Sequence, residues 1–131
     1  MTTFTIDSRQ RVELIDITET VRAAIRANGC SDGLAVVYTP HTTAGITINE
    51  NADPDVARDL VTALNKLVPF DDHYRHAEGN SAAHVKSTLV GASETLIVQG
   101  GAPLLGTWQG IYFCEFDGPR RRQVHVKVVS A

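Results

Sequence analysis

The chain is 131 residues long, 43% apolar and 21% charged, with a formal charge of −3, which suits a single domain over residues 1–131 that buries well over half of its unfolded surface. The mild acidity excludes a broad electrostatic footprint for nucleic acid, and no apolar run approaches the roughly 20 residues that a membrane helix needs. A cytoplasmic protein is expected: residues 1–7 lack the basic and apolar blocks of a signal peptide, and Cys30 and Cys114 lack the paired spacing of a zinc ribbon or redox motif.

Phe4 and Ile6, then Val12, Leu14 and Ile15, alternate with polar residues around the turn Asp7-Ser8-Arg9-Gln10, which predicts a β-hairpin over residues 3–18. In the helix that follows, Thr18 can act as N-cap, Val21, Ala24 and Ile25 form an apolar stripe, and Asn28-Gly29 supplies a left-handed stop. Residues 34–39 are almost uniformly apolar and predict a strand covered on both faces, ended by Pro40. His41 therefore falls at a strand end. Beyond it Ala44, Ile46 and Ile48 alternate with Thr43, Gly45, Thr47 and Asn49, so the next strand has one polar face, and Asn49 lies on it.

Asp53-Pro54 opens a helix whose stripe of Val56, Leu60, Ala63, Leu64 and Leu67 ends before Pro69. Residues 69–80 are polar and aperiodic and read as an ordered loop. Ser81 can cap a short helix to Val90, closed by Gly91, with Val85, Leu89 and Val90 facing inward. Strands over 95–98, 109–116 and 122–129 complete the order β-β-α-β-β-α-α-β-β-β. That order lacks the strand–helix alternation of a doubly wound parallel sheet and predicts a layered α+β fold.

Chemistry concentrates in the middle third. His41, His76 and His84 are three imidazoles able to hold a divalent ion with one position open, or to move protons, although their spacing matches no compact metal motif. Dispersed histidines also serve as hydrogen-bonded core or surface residues, and His73 and His125 read that way. Asp53 is accounted for as a helix cap, whereas Glu50 precedes the cap and is the preferred general base, with a solvated surface carboxylate as the alternative. Asn49 can orient a substrate through paired hydrogen bonds. Lys86, Ser87 and the helix N-terminus near Ser81 can hold a phosphate, or Lys86 can be one solvated lysine on an ordinary helix. Arg120, Arg121 and Arg122 offer anion contacts or form a solvated basic turn. Trp108, between Gly106 and Gly110, can stack on a ring whose edge Gln109 bonds, or fill a subunit interface.

Three blocks in this order, His41-Thr42-Thr43-Ala44-Gly45-Ile46-Thr47-Ile48-Asn49-Glu50-Asn51, His84-Val85-Lys86-Ser87 and Gly106-Thr107-Trp108-Gln109-Gly110-Ile111, resemble the YjbQ family over almost the whole chain. Members are commonly called secondary thiamine-phosphate synthase enzymes, after a side activity. The resemblance implies a compact α+β subunit, a homotrimer, and a pocket containing His41, Asn49, Glu50, His76, His84, Lys86, Trp108, Gln109 and Glu115. A phosphorylated small-molecule substrate is expected, and His41, His76 and His84 offer a place for a zinc or magnesium ion. Glu50, His84, Lys86 and Glu115 would be catalytic, and Asn49, Asn80, Ser87, Trp108, Gln109 and Arg122 would bind substrate. Asn80 occupies a place where the resemblance leads to aspartate, which leaves the charge of a metal site open. Two other readings stand beside the transferase: a zinc-dependent hydrolase of a phosphorylated metabolite, and a trimeric metabolite-binding protein without turnover.

Overall fold

The computed structural model describes residues Met1–Ala131. The chain runs β1 (Thr2–Asp7), β2 (Glu13–Asp16), α1 (Thr18–Asn28), β3 (Asp32–Tyr38), β4 (Ala44–Glu50), α2 (Pro54–Leu67), α3 (Ser81–Val90), β5 (Ser93–Gln99), β6 (Ala102–Pro103), β7 (Gln109–Glu115) and β8 (Arg121–Ser130). The strands form two antiparallel sheets, β1-β8-β3-β5-β6 and β2-β7-β4, in a single-domain α+β fold as expected.

The expected N-terminal hairpin does not form. β1 pairs with β8, from Thr2 opposite Val126 to Asp7 opposite Arg121, whereas β2 pairs with β7 in the other sheet. The intervening turn redirects the chain. The Glu13 carboxylate accepts the Arg9 and Gln10 amides, both at 2.7 Å, and the Ser8 amide donates to the Arg120 carbonyl at 3.0 Å, so this segment crosses from one sheet to the other.

The main core lies between the sheets. Ile6, Ala35, Val37, Leu96, Val98, Val124 and Val126 from the larger sheet meet Ala44, Ile46, Ile111 and Phe113 from the smaller one, with Val21, Ala24 and Ile25 of α1 completing it. Each of the larger side chains contributes about 1.5–3 kcal/mol when fully buried. Gly29 ends α1 at φ 79°, as its sequence position predicts, and its amide donates to the Arg26 carbonyl. The opposite face of the small sheet carries a second cluster of Val12, Ala83, Cys114 and Phe116 beneath Val61 and Leu64 of α2 and Val90 of α3.

Coverage on both faces belongs to β7, the central strand of the small sheet, and not to β3. On β3 only alternate residues are buried, and Leu34 lies beside Ile97 and Val129 in an open apolar row on the outer sheet face, where no helix packs. The inward face of α3 also differs from the expectation. Ala82, Ala83, Lys86 and Ser87 are buried, while Val85 and Leu89 are exposed.

α3 is fixed tightly across the start of β4. Ser87 Oγ donates to the Ala44 carbonyl at 2.6 Å, and the Ile46 amide donates to the Gly91 carbonyl at 3.0 Å. A Cβ at Gly45 would fall at 2.8 Å from the Gly91 carbonyl and 2.9 Å from Val90, so the helix approaches the strand as closely as only glycine permits.

Candidate active site

The close seat of α3 brings His84 to the entrance of β4, where His41 already stands. Thr39 anchors the approach, its amide donating to the Ala92 carbonyl and its hydroxyl to the Gln123 carbonyl. Together with the loop that carries His76 and the β7–β8 connection that carries Arg120, they enclose a cleft of about 430 Å³ lined by polar and charged side chains and by Pro40. His41, His76, His84, Asn80 and Arg122 all line it, so folding gathers the three histidines and two of the expected binding residues.

Arg122 forms the rigid side of the cleft. Its Nε donates to Glu115 Oε1 at 2.9 Å, and its Nη2 donates to Glu115 Oε2, to Thr43 Oγ1 at 2.8 Å and to the Thr43 carbonyl at 3.1 Å. Glu115 in turn accepts from Ser8 Oγ at 2.6 Å and from the Asp117 amide at 3.0 Å. Burial alone would push the Glu115 carboxyl up, but the hydrogen bonds from Arg122, Ser8 and Asp117 and the Arg122 charge outweigh it and hold the group below the usual carboxylate range. Glu115 is wholly enclosed and does not line the cleft; it acts there only through Arg122.

His41 accepts the Gln123 amide at Nε2, at 2.9 Å. Its burial, and then the neighbouring Arg122 charge, hold the imidazole below its ordinary pKa. The rings of His76 and His84 meet edge to face, centroids 5.6 Å apart, and His76 Nε2 lies 3.7 Å from Glu78 Oε2. Asn80 donates to Asp117 Oδ2 at 2.9 Å, and its Oδ1 is enclosed without a partner. Arg120 holds the same Asp117 carboxylate at 3.0 Å.

These donors do not fit a three-histidine metal centre. His41 Nε2 is already committed to a backbone amide, and no group of three or more His, Cys, Asp or Glu side chains is arranged to hold an ion. The other expected site residues lie elsewhere. Lys86, two positions beyond His84, falls on the opposite side of α3 and enters the second core, where its Nζ has no hydrogen-bond partner. That Nζ stands 3.9 Å from the Phe70 ring centroid, and the Arg11 guanidinium carbon stands 3.6 Å from the same centroid. Burial, reinforced by the Arg11 charge, lowers the Lys86 pKa. The Ser87 hydroxyl is spent on the Ala44 carbonyl.

Asn49, Glu50, Trp108 and Gln109 sit at the far end of the small sheet, with Asn49 opposite Gly110 and Glu50 opposite Gln109. β4 is seven residues long, so roughly 20 Å of strand separates them from His41. Trp108 is 62% exposed there, and Gln109 Oε1 accepts the Gly106 amide. The chain thus divides the expected pocket among the cleft, the second core, which takes Lys86, and the far end of the small sheet. Thr43, Ser8, Asp117 and Glu78 were not singled out from the sequence, although Thr43 lies two positions from His41 on the polar side of the alternation and Glu78 stands beside His76.

Fold and cleft define an α+β protein of two antiparallel sheets with a histidine- and arginine-lined cleft. Residues 2–131 match the family described as UPF0047 protein YjbQ-like, and the chain belongs to that family. It is 56% identical over 127 residues to UPF0047 protein MJ1081 of Methanocaldococcus jannaschii, covering 97% of this chain and 92% of that one. It is 53% identical over 129 residues to UPF0047 protein YugU of Bacillus subtilis, covering 98% of each. The crystal structure of an uncharacterized YjbQ/UPF0047 protein from Clostridium acetobutylicum superposes with a TM-score of 0.97 at 53% identity, over 98% of this chain and 100% of that one. A YbjQ-like protein of unknown function from Sulfolobus solfataricus gives a TM-score of 0.95 at 28% identity, over 99% and 96% of the two chains. No helix is long and apolar enough to cross a membrane.

Proposed function

We propose that the cleft binds a small phosphorylated metabolite and performs proton-transfer chemistry on it. One observation carries the reading: three imidazoles and two guanidiniums line a single cavity whose wall is otherwise Pro40, two threonines, Asn80 and the lone carboxylate of Glu78. Guanidiniums match the geometry of phosphate oxygens, and imidazoles exchange protons near neutral pH. The His76–His84 pair is the proton-handling element, since neither ring makes a hydrogen bond tying it to the fold. Diphosphate departure, as in joining a pyrimidine-methyl diphosphate to a thiazole phosphate, is one reaction such a site serves, with Arg120 and Arg122 stabilising the leaving anion. The donor arrangement lends less support to zinc-dependent hydrolysis.

The homotrimer implied by the resemblance belongs to the same proposal, supported by the open row of Ile97, Leu34 and Val129. Calorimetric titration with phosphate and diphosphate, followed by turnover assays on phosphorylated metabolites, tests the reading. Binding is expected to weaken about tenfold in Arg120→Ala, and turnover to disappear in His84→Ala with binding retained. Unchanged binding in Arg120→Ala together with unchanged turnover in His84→Ala would remove the cleft from the function.

A further inference from the structure

Two cleft residues, His41 and Arg122, present their hydrogen-bonding atoms in a fixed sense. The Gln123 amide donates to His41 Nε2. A lone pair that accepts an N–H carries no proton, so the neutral ring holds its proton on Nδ1. The opposite tautomer would set two N–H groups against each other and leave the Gln123 amide unpaired. Nδ1 itself makes no hydrogen bond in the chain, is not sealed from solvent, and belongs to a residue that lines the cleft.

Arg122 repeats the pattern. Nε and Nη2 are spent on Glu115 and Thr43, while Nη1 has no partner in the chain and is not among the enclosed unpartnered atoms. A guanidinium has donors only. We propose that His41 Nδ1–H and Arg122 Nη1 form a fixed, donor-only receptor for an oxyanion such as a phosphate monoester, in which His41 is a hydrogen-bond donor and neither a base nor a metal ligand.

The inference rests on the reading of the cleft as an anion site and names the atoms that receive the anion. Both groups are set before a ligand arrives, His41 by a backbone amide and Arg122 by Glu115, which Ser8 and the Asp117 amide hold in turn. Little rotamer freedom is left to lose on binding. A cation approaching the same wall would meet a guanidinium and an N–H, both positive at the tip. Glu115 and Thr43 are positioning residues, because they act through Arg122.

Nitrogen-15 NMR of the full chain at neutral pH reads the tautomer directly in the wild-type protein. His41, assigned by its disappearance in His41→Gln, is expected to show a protonated Nδ1 and a bare Nε2. Inorganic phosphate should shift that Nδ1–H and the Arg122 side-chain signals. Phosphate affinity should fall about tenfold in His41→Gln, which keeps an acceptor for Gln123 but has no donor at the Nδ1 position, and clearly less in His41→Asn, whose amide stands near that position. A proton on Nε2, or stoichiometric zinc binding that moves the His41 ring nitrogens, would overturn the assignment. Phosphate that perturbs His84 and Arg120 but leaves His41 and Arg122 unmoved would also overturn it, with the anion reading of the cleft intact. Phosphate and diphosphate that perturb no cleft residue would remove both.

Discussion

Arg122 and Lys86 are both withdrawn from water, at 2% and 0% exposure, yet their surroundings are opposite. Arg122 has a carboxylate, a hydroxyl and a carbonyl on its donors, whereas Lys86 has only the face of Phe70 and a second cation, Arg11, beside that ring. The comparison separates a charge that the fold holds ready from one that the fold tolerates. A buried ion pair is costly to break from one side, while an unpaired buried charge is a standing penalty.

Breaking the favoured side should give the largest effect. Glu115→Gln leaves the Arg122 charge without its counter-ion and is expected to cost about 3–5 kcal/mol in urea unfolding. The double change Glu115→Leu with Arg122→Met should recover much of that stability while abolishing anion binding, which separates folding from function. Acid should reproduce the single loss. Because the folded Glu115 pKa is depressed below the ordinary 4.5, its contribution is present above that value and disappears as pH falls through the folded pKa, to be read as a drop in melting temperature.

The unfavoured side predicts a smaller effect of opposite sign. Lys86→Met removes an unpaired charge and keeps the volume, so stability at neutral pH should rise by about 1–2 kcal/mol. The pH dependence also opposes that of Glu115. Between the lowered folded pKa of Lys86 and its ordinary 10.5 the unfolded chain binds more protons, so wild-type stability should rise with pH there, and Lys86→Met should lose this slope. A loss of stability in Lys86→Met at neutral pH would show that the cation–π contact with Phe70 outweighs desolvation. Smallest of all, Ser8→Ala should cost about 1 kcal/mol, since Glu115 keeps Arg122 and the Asp117 amide.

The same contrast measures how far the sequence could be read. His41, His76 and His84 were recognisable because nothing in a simple core calls for three imidazoles in polar segments, and the cleft gathers all three. The division of the remaining candidates was also within reach. Lys86 is two residues from His84, which at helical spacing places it on another face, and Glu50 lies most of a strand away from His41. Strand partners were not readable in this way. The segments 3–7 and 12–15 alternate as a hairpin would, and only the distant strands β7 and β8, with Glu13 capping the intervening turn, assign them to different sheets. Residues 34–38 misled for a related reason: an apolar run reads alike whether its second face is covered by helices or left open.

Gly45 gives the cleft a dimension that no lining residue sets. Where α3 crosses the strand, the absence of one methyl group fixes how near the helix can come, and His84 rides on that helix while His41 is tied to β8 through Gln123. Any larger residue at this crossing would act as a spacer, moving one imidazole away from the other without touching either. The working gap between the two rings is therefore set from behind the helix, by a hydrogen atom.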